Sequence, residues 1–478
     1  MATHRDTDTI AAVATPSGPG GIGIIRISGS DSLYILKSLF RPSNPKCTYK
    51  SHMLYHGFIV NPESGQEVDE ALCVYMKAPK TYTRQDVVEI QCHSGPAVMS
   101  QILELCLKAG ARLALPGEFT KRAFLSGRID LTQAEALNDL VCAQSSGLTL
   151  MSIKGLKGAL AKRIEAIRKG LVYCLSALEV AIDYPEEDSE ILSENHIIER
   201  LETDVIGPVV DLIKAYDVGA IYRYGAKVLL VGRPNAGKSS LLNALLCEER
   251  VIVTEIPGTT RDIVEQQIEI DGTLVTLMDT AGIRQSPDPI EAMGIDKIVK
   301  VAAVADVFLW LIDPIQGVGV EEEEVARLIA SFGSKKIIVV VNKIDKVKYT
   351  EMGEVEELIR QRLAQLKGLD IDDKVPICLV SAKTGEGLQE LTATISNALL
   401  QDGRIKEIDV APNIRQKQVL QHMSCCLERA MGGFKRALPL DVIALDLRQA
   451  LNLLGEITGE TATEDILDQI FSSFCLGK

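Results

Sequence analysis

The sequence has 478 residues, of which 46% are hydrophobic and 24% charged, and its formal net charge is −14. This composition is typical of a globular protein of two to four domains, and the acidic balance disfavours nonspecific attraction of nucleic acid, so that an RNA partner requires a local basic patch or a second protein. No apolar run approaches the ~20 residues that a membrane-spanning helix needs, and we expect no signal peptide. The 11 cysteines, without a Cys-x-x-Cys pair, argue against disulfides and a zinc site and predict a reducing, cytoplasmic location.

Short apolar runs separated by turn residues characterise the first 121 residues. They predict strands at 22–27, 71–76 and 87–91 and a helix at 98–109. We therefore expect residues 1–121 to form a small α+β domain.

A helical pattern begins near residue 122. Apolar residues spaced by three or four form one long stripe from Leu156 to Leu178, and a second helical run covers about 197–216. The pattern returns at 413–431 and 440–454. These runs predict an all-α domain made of residues 122–220 and 401–478, whose two parts pack together.

Between them, strands and helices alternate. The predicted strands are 227–231, 273–278, 306–312, 336–341 and 376–380. Such alternation is typical of a doubly wound, mostly parallel sheet with helices on both faces. The sequence as a whole therefore predicts a multidomain α/β protein with an α/β domain, residues 221–400, inserted into the all-α domain.

A phosphate-binding loop opens the inserted domain. Residues 232–239 read Gly-Arg-Pro-Asn-Ala-Gly-Lys-Ser, after an apolar strand and before a helix. In such a loop the backbone N–H groups wrap a β-phosphate, Lys238 neutralises phosphate oxygens, and the Ser239 hydroxyl ligates Mg²⁺.

Four further motifs follow in the order of a guanine-nucleotide site. Residues 257–262 can supply a threonine to Mg²⁺, and in residues 279–282 Asp279 can hold the ion through water. Asp345, in Asn-Lys-Ile-Asp, can accept hydrogen bonds from two guanine donors that adenine lacks, and residues 381–383, Ser-Ala-Lys, support the base. The chain is predicted to bind and hydrolyse GTP.

One departure from Ras-like sites concerns the attacking water. Ile283 stands where those enzymes have a water-orienting glutamine. Glu291 could replace it, although its spacing alone favours a solvated surface carboxylate. Arg261 and Arg284 could act as an arginine finger or form structural salt bridges, and a monovalent cation bound by the amide of Asn235 could neutralise the γ-phosphate instead.

The whole chain resembles the MnmE (TrmE) family of tRNA modification GTPases. The most specific matches lie outside the nucleotide motifs, at residues 14–29, 82–91, 116–125 and 130–136 and in the last four residues, Cys-Leu-Gly-Lys. The resemblance implies that the N-terminal domain has the fold of folate-binding aminomethyltransferases, binds a reduced folate (5-formyl- or 5,10-methylene-tetrahydrofolate) and forms a homodimer.

The resemblance also implies residues for the folate site. Arg26, Glu89 and Arg128 match folate-contacting positions, Lys478 reaches the pocket from the C-terminus, and Cys475 is a catalytic candidate beside it. The residues alone leave other interpretations open: a surface salt bridge for Arg26, a buried small residue for Cys475 and a frayed end for Lys478.

In the inserted domain the resemblance assigns ion ligands and a catalytic group. The potassium ligands fall on Asn235, Thr254, Ile256 and Thr259, the magnesium ligands on Ser239 and Thr260, and the catalytic glutamate on Glu291. The predicted GTP-binding residues are Asn235, Ala236, Gly237, Lys238, Ser239, Ser240, Thr254, Thr259, Thr260, Asp279, Thr280, Ala281, Gly282, Asn342, Lys343, Asp345, Ser381, Ala382 and Lys383.

The function implied by the resemblance is a K⁺-activated GTP hydrolase. With the FAD protein MnmG (GidA), in a hetero-oligomer, it would install a carboxymethylaminomethyl or aminomethyl group at carbon 5 of the tRNA wobble uridine, using the folate one-carbon unit. Two alternatives are a GTPase switch in ribosome assembly and a folate-dependent one-carbon transferase with a regulatory G domain.

Overall fold

The computed structural model describes residues 8–16, 18–184, 194–248, 250–251, 265–279, 299–332, 335–347, 352–365, 375–400 and 410–477. The chain divides into two compact units. One comprises residues up to 138 together with 155–206 and 422–478, and the other comprises 139–154 and 207–421. Within the described ranges, no helix combines the length and apolar character needed to cross a membrane.

A mixed sheet with two covering helices forms the N-terminal part of the chain. Its order is β3-β4-β5-β6-β2-β1-β7, and neighbouring strands are antiparallel except for the parallel pair β1–β7. The elements are β1 Ile10–Val13, β2 Gly23–Ser28, α1 Ser32–Leu39, β3 Phe40–Pro42, β4 Met53–Val60, β5 Glu67–Met76, β6 Val87–Cys92, α2 Pro96–Lys108 and β7 Arg112–Leu113.

Strand alternation gives this sheet two chemically different faces. Ile25 and Ile27 of β2 and Ile90 of β6 are fully buried in the core beneath the helices. Because successive side chains of a strand point to opposite faces, Arg26 and Glu89 lie on the other face, directly opposite each other in the register of β2 and β6. The fold therefore places two predicted site residues side by side.

The predicted strands at 22–27, 71–76 and 87–91 and the predicted helix at 98–109 are confirmed by β2, β5, β6 and α2. The sequence did not predict β4. The first half of this strand is largely exposed, so it lacks the apolar–polar alternation that identifies a half-buried strand.

Helices follow the N-terminal sheet. They are α3 Glu118–Leu125, α4 Leu131–Cys142, α5 Ser146–Leu156, α6 Ala159–Asp183, α7 Glu194–Arg200, a π-helical turn at Leu201–Ile206 and α8 Gly207–Tyr224. The prediction of one continuous stripe from Leu156 to Leu178 was wrong at its start. Gly158 adopts a left-handed φ of 81°, which ends one helix before the next begins, so Leu156 belongs to α5 and the stripe to α6.

The second sheet has the order β14-β13-β12-β8-β11-β10-β9, with parallel pairs from β14 to β11 and antiparallel pairs beyond. Its elements are β8 Ala226–Gly232, α9 Lys238–Glu248, β9 Arg250–Val251, β10 Glu265–Ile270, β11 Thr273–Asp279, β12 Val307–Ile312, α10 Val320–Ala330, β13 Lys336–Asn342, α11 Met352–Ala364, β14 Ile377–Val380 and α12 Leu388–Leu400. The predicted doubly wound, mostly parallel sheet is confirmed.

The two faces of this sheet are covered by different helices. In β12, Leu309 and Leu311 pack into the core that contains α9 and α12 residues, whereas Phe308 and Trp310 pack into the core that contains α10 and α11 residues. Both faces of the sheet are thus buried, as a parallel sheet requires. The described parts of the nucleotide motifs lie at or directly after the carboxyl ends of β8, β11, β13 and β14.

The chain ends with α13 Ile414–Lys435, α14 Leu440–Thr458 and α15 Glu464–Ser472. Helix α14 packs along α6, and Arg448 forms a 2.9 Å ion pair with Glu179. Helices that precede and follow the inserted sheet in sequence therefore pack together, as the apolar stripes predicted.

The start of α5 is attached to the turn between β10 and β11. The N–H of Gly147 donates to the carbonyl of Gly272 at 3.0 Å, and the N–H of Ser146 donates to Glu269 Oε1 at 3.0 Å. A Cβ at Gly147 would meet the ring of Tyr222 and lie 2.5 Å from the Gly272 carbonyl oxygen. Only glycine allows this approach.

We expect Gly147→Ala to destabilise the second unit, since the added methyl group collides with a packed ring and a backbone oxygen at a cost of about 1–3 kcal/mol. Thermal unfolding followed by circular dichroism should show a midpoint several degrees lower. The matched control is Gly353→Ala, which also changes the second residue of a helix but places its methyl group in open space. Equal midpoints for the two variants would contradict the close approach.

Candidate nucleotide site and a second polar site

The phosphate-binding loop joins β8 to α9. Three residues of this loop have left-handed φ angles: Gly232 at 143°, Asn235 at 65° and Gly237 at 97°. Such a path turns successive N–H groups towards one centre at a helix N-terminus, where an anion is stabilised. A Cβ at Gly237 would collide with Nδ2 of Asn342, so glycine is required there by packing as well as by φ.

Lys238 is held inside the curve of this loop. Its Nζ donates to the carbonyls of Gly232 at 2.9 Å and Arg233 at 2.8 Å, and the residue is only 7% exposed. The ammonium group therefore fixes the loop and lies where it can neutralise bound phosphate oxygens.

Ser239 and Asp279 bring a hydroxyl and a carboxylate oxygen together beside the phosphate loop. The Ser239 hydroxyl donates to Asp279 Oδ2 at 2.8 Å, and Asp279 is 4% exposed at the end of β11, next to β8 in the sheet. Hydroxyl and carboxylate oxygens are hard donors that suit Mg²⁺, which keeps water and phosphate as its other ligands. In the parts of the chain that the structure describes, no group of three His, Cys, Asp or Glu could hold a metal ion.

A cavity of about 820 Å³ lies beside the loop, where a base would bind. Its lining includes several predicted nucleotide-binding residues: Gly237, Ser240, Asn342, Lys343, Asp345, Ala382 and Lys383. Asp345 Oδ1 accepts a hydrogen bond from the Ser381 hydroxyl at 2.8 Å, and Ser381 is fully buried. This bond orients the Asp345 carboxylate before any base is bound.

The side chain of Asn342 connects the loops around the cavity. Its Nδ2 donates to the Ala236 carbonyl at 3.0 Å, and its Oδ1 accepts from the N–H groups of Lys343 at 2.8 Å and Ala382 at 3.1 Å. An amide is needed here because a carboxylate could not donate to the carbonyl. The phosphate loop and both base loops are thus tied to one buried group.

Asp313 contacts a lysine of the base loop and was not singled out by the sequence motifs. Lys343 Nζ donates to Asn235 O at 2.6 Å and to Asp313 Oδ2 at 2.8 Å. Burial raises the pKa of Asp313, but hydrogen bonds from Lys343 and nearby backbone N–H groups outweigh it and hold the pKa below its ordinary value. Its position directly after the buried strand β12 is the signal that could have identified it, since Asp279 similarly lies at the end of β11.

A second polar site lies on the face of the N-terminal sheet opposite α1 and α2. Arg26 Nε donates to Glu89 Oε1 at 2.9 Å, its Nη1 donates to the Gly477 carbonyl at 3.0 Å, and its guanidinium lies 5.8 Å from the ring centre of Phe119. Gly477 has φ of 84°, and a Cβ there would collide with the Val13 carbonyl. The C-terminal tail is therefore packed against the same strands as the Arg26–Glu89 pair.

Arg128 joins this site through Tyr82, which the resemblance did not single out as a site residue. Arg128 Nη1 donates to the Tyr82 carbonyl at 2.8 Å and its guanidinium lies 4.7 Å from the ring centre. Burial raises the pKa of Tyr82, while the hydroxyl of Thr120 and the charges of Arg128 and Arg26 oppose that shift. Arg128 therefore lies over the ring of Tyr82, whereas Arg26 lies over the ring of Phe119.

Cys475 is exposed, so the interpretation of this residue as a buried small side chain was wrong. It lies beyond the end of α15 in the tail, where its carbonyl accepts the Gly117 N–H at 3.4 Å. Two other cysteines, Cys92 and Cys106, lie in the core of the N-terminal domain, where burial raises the pKa of Cys92 to about 11 and that of Cys106 to about 12. Those thiols stay protonated at neutral pH and are inert.

Several predicted site residues lie outside the described residues. They are Thr254, Ile256, Thr259, Thr260, Thr280, Ala281, Gly282, Glu291 and Lys478, together with the arginine-finger candidates Arg261 and Arg284.

Two family descriptions match the chain. "GTP-binding protein TrmE N-terminus" matches residues 9–128, and "MnmE helical domain" matches residues 131–475. Among solved structures, Era from Aquifex aeolicus bound to GDP and aluminium fluoride is 28% identical and covers 42% of this chain and 66% of that chain, with a TM-score of 0.29.

Full-length relatives are described as "tRNA modification GTPase MnmE". The protein from Acetivibrio thermocellus is 42% identical over 98% of this chain and 99% of its own length. The protein from Desulfotalea psychrophila is 43% identical over 100% of this chain and 99% of its own length. The chain belongs to the MnmE (TrmE) family of tRNA modification GTPases.

Proposed function

We propose that this protein hydrolyses GTP with Mg²⁺ and K⁺ and uses the cycle to modify tRNA. The observation that carries the proposal is the preformed connection between the phosphate loop and the base pocket through Asn342, with Asp345 oriented by Ser381. Such a site supports recognition of a guanine nucleotide, and the relatives' printed name supports tRNA as the macromolecular substrate.

The phosphate chain is bound by the loop N–H groups and by Lys238, which spreads positive charge over the oxygens that become more negative during transfer. Bound Mg²⁺, held by Ser239 and, through water, Asp279, would supply further neutralisation of that charge. Thr260 completes this proposed magnesium set.

Asp345 is the residue that distinguishes guanine from adenine. Its carboxylate accepts from N1–H and N2–H₂ of guanine, whereas adenine lacks both donors and would leave the carboxylate unpaired against the base. Lys343 and Asn342 hold the surrounding loops, so that the carboxylate keeps its position when the base enters.

We expect Asp345→Asn to weaken GTP binding by about 10- to 100-fold and to improve binding of xanthosine triphosphate. The amide replaces one acceptor by a donor, which opposes N2–H₂ of guanine and suits the carbonyl that xanthine carries at that position. Competition calorimetry with the two nucleotides measures the change. The control is Asp211→Asn, an exposed aspartate on α8. An unchanged preference for GTP in Asp345→Asn would rule out this contact.

We further propose that K⁺ does the work of an arginine finger, with Asn235, Thr254, Ile256 and Thr259 as its ligands and Glu291 orienting the attacking water. Asn235 supports this role because it is exposed at the phosphate loop and its backbone is fixed by a left-handed φ and by Lys343. A cation there would face the γ-phosphate and neutralise its charge.

GTP hydrolysis should be faster in KCl than in NaCl at the same ionic strength by about 10-fold or more, as expected when a cation stabilises transition-state charge. The rate of phosphate release by the full-length protein is the measurement, and GDP binding in both salts is the control for an effect on affinity. Equal hydrolysis rates would remove K⁺ from the proposal and direct the search to an arginine, while leaving the GTP site intact.

For the second polar site we propose a reduced folate, gripped by Arg26, Glu89 and Arg128 with Lys478 and Cys475 of the tail close by. Two arginines beside aromatic rings suit an anionic ligand with a flat ring system. The folate would supply the one-carbon unit for carbon 5 of the wobble uridine. The FAD protein MnmG would act as partner, bind a homodimer of this chain in the cytoplasm and carry the redox chemistry.

Deletion of residues 475–478 should abolish tRNA modification by the protein together with MnmG while GTP hydrolysis stays within about twofold of wild type. The deletion removes the Gly477 carbonyl that Arg26 contacts but touches none of the nucleotide-site residues. Mass spectrometry of the tRNA nucleosides provides the readout. Cys475→Ser, which keeps the tail in place, separates the chemistry of the thiol from the placement of the tail. Full modification by the truncated protein would refute the role of the tail.

A further inference from the structure

A buried carboxylate lies between the phosphate loop and the single tryptophan of the chain. Glu322, on α10, is 1% exposed. Its Oε2 accepts the indole N–H of Trp310 at 2.8 Å, and its Oε1 lies 3.0 Å from Nε of Arg233. Trp310 is fully buried in β12, and it is the only tryptophan among the 478 residues.

Both carboxylate oxygens of Glu322 thus have defined partners. A buried carboxylate is strongly unfavourable unless it is paired and hydrogen-bonded, and here the indole fixes its direction while the guanidinium neutralises its charge. Gly319, just before α10, keeps the space for this guanidinium, because a Cβ there would lie 2.5 Å from Arg233 Nη2. The space beside Glu322 therefore fits the guanidinium of Arg233 only while residue 319 is glycine.

The backbone of Arg233 is part of the phosphate loop, so that fixing its side chain also fixes the loop. It is the second residue of the loop, and its carbonyl oxygen accepts Lys238 Nζ at 2.8 Å and the Ala236 N–H at 3.3 Å. The side chain of Arg233 is therefore held by Glu322 while its carbonyl holds the lysine that neutralises phosphate.

We propose that Glu322 is a positioning residue of the nucleotide site, which sets the phosphate loop through Arg233, and that Trp310 reports the state of this contact. The inference rests on the proposed binding of guanine nucleotides. Since the indole N–H binds the same carboxylate that pairs with Arg233, a nucleotide that shifts Arg233 changes the electrostatic environment of Trp310.

The first test is a titration of the full-length protein with GDP and Mg²⁺, followed by calorimetry and by tryptophan emission. Wild type should bind GDP and change its emission at the same stoichiometry. Glu322→Gln keeps an acceptor for the indole but removes the charge that holds Arg233, so it should weaken GDP binding by about tenfold and abolish the emission change. Glu323→Gln, an exposed neighbour on the same helix that pairs with Arg327, should behave as wild type.

A double substitution separates positioning from a purely structural role. If Glu322 acts through Arg233, then Glu322→Gln combined with Arg233→Met should bind GDP no more weakly than Arg233→Met alone. Independent, multiplying losses would overturn the proposal, as would wild-type GDP affinity in Glu322→Gln or GDP binding without any change of Trp310 emission in the wild type.

If Glu322→Gln fails to fold, Trp310→Phe provides the test instead. This variant removes the hydrogen bond between the indole and Glu322 but keeps the ion pair between Glu322 and Arg233. A GDP affinity about threefold weaker in the calorimeter supports positioning, and an unchanged affinity overturns it. A wild-type protein that binds no GDP at all would instead contradict the proposed function itself.

Discussion

The nucleotide site depends on one amide. Asn342 is 1% exposed, donates to the phosphate loop and accepts from both loops that surround the base pocket. One of its three hydrogen bonds reaches the phosphate loop 106 residues earlier in sequence, and each buried bond left unmade would cost about 1–3 kcal/mol. The glycine at 237 follows from the same constraint, since any side chain there would displace the Asn342 amide. The order of the strands, which brings β8, β13 and β14 to a common edge, is what allows this amide to reach all three loops.

The second polar site is built on the alternation of a strand. Arg26 faces away from the core because Ile25 and Ile27 face into it, and the register of β2 and β6 then sets Glu89 opposite. The C-terminal tail completes the site, because its Gly477 carbonyl accepts a hydrogen bond from the guanidinium of Arg26. An arginine that is paired on one side and bound by a carbonyl on the other keeps its charge and loses little entropy when an anionic ligand arrives.

Short motifs identified most residues of the candidate nucleotide site because each of them combines a chemical group with a local backbone path. The phosphate loop, Asp279, Asn342 and Asp345 could be identified in this way. The parts that were missed act only across the fold: Asp313 meets Lys343 from another strand, and Glu322 reaches Arg233 from a helix that follows β12. The break at Gly158 was missed for a related reason, since the apolar spacing continues across it and only the left-handed φ reveals it.

The hairpin of β10 and β11 has a mechanical consequence. Its six paired residues on each strand span roughly 20 Å at ~3.4 Å per residue. The tip at Gly272 is hydrogen-bonded to the first residues of α5. The other end adjoins, in sequence, the segment with the predicted ion ligands Thr254 to Thr260 before β10, and β11 ends at Asp279. Because β11 also pairs with β8 and β10 with β9, the hairpin is held within the sheet along its length. The bonds at Gly272 and Glu269 therefore join the first turn of α5 to the same sheet whose strand β8 leads into the phosphate loop.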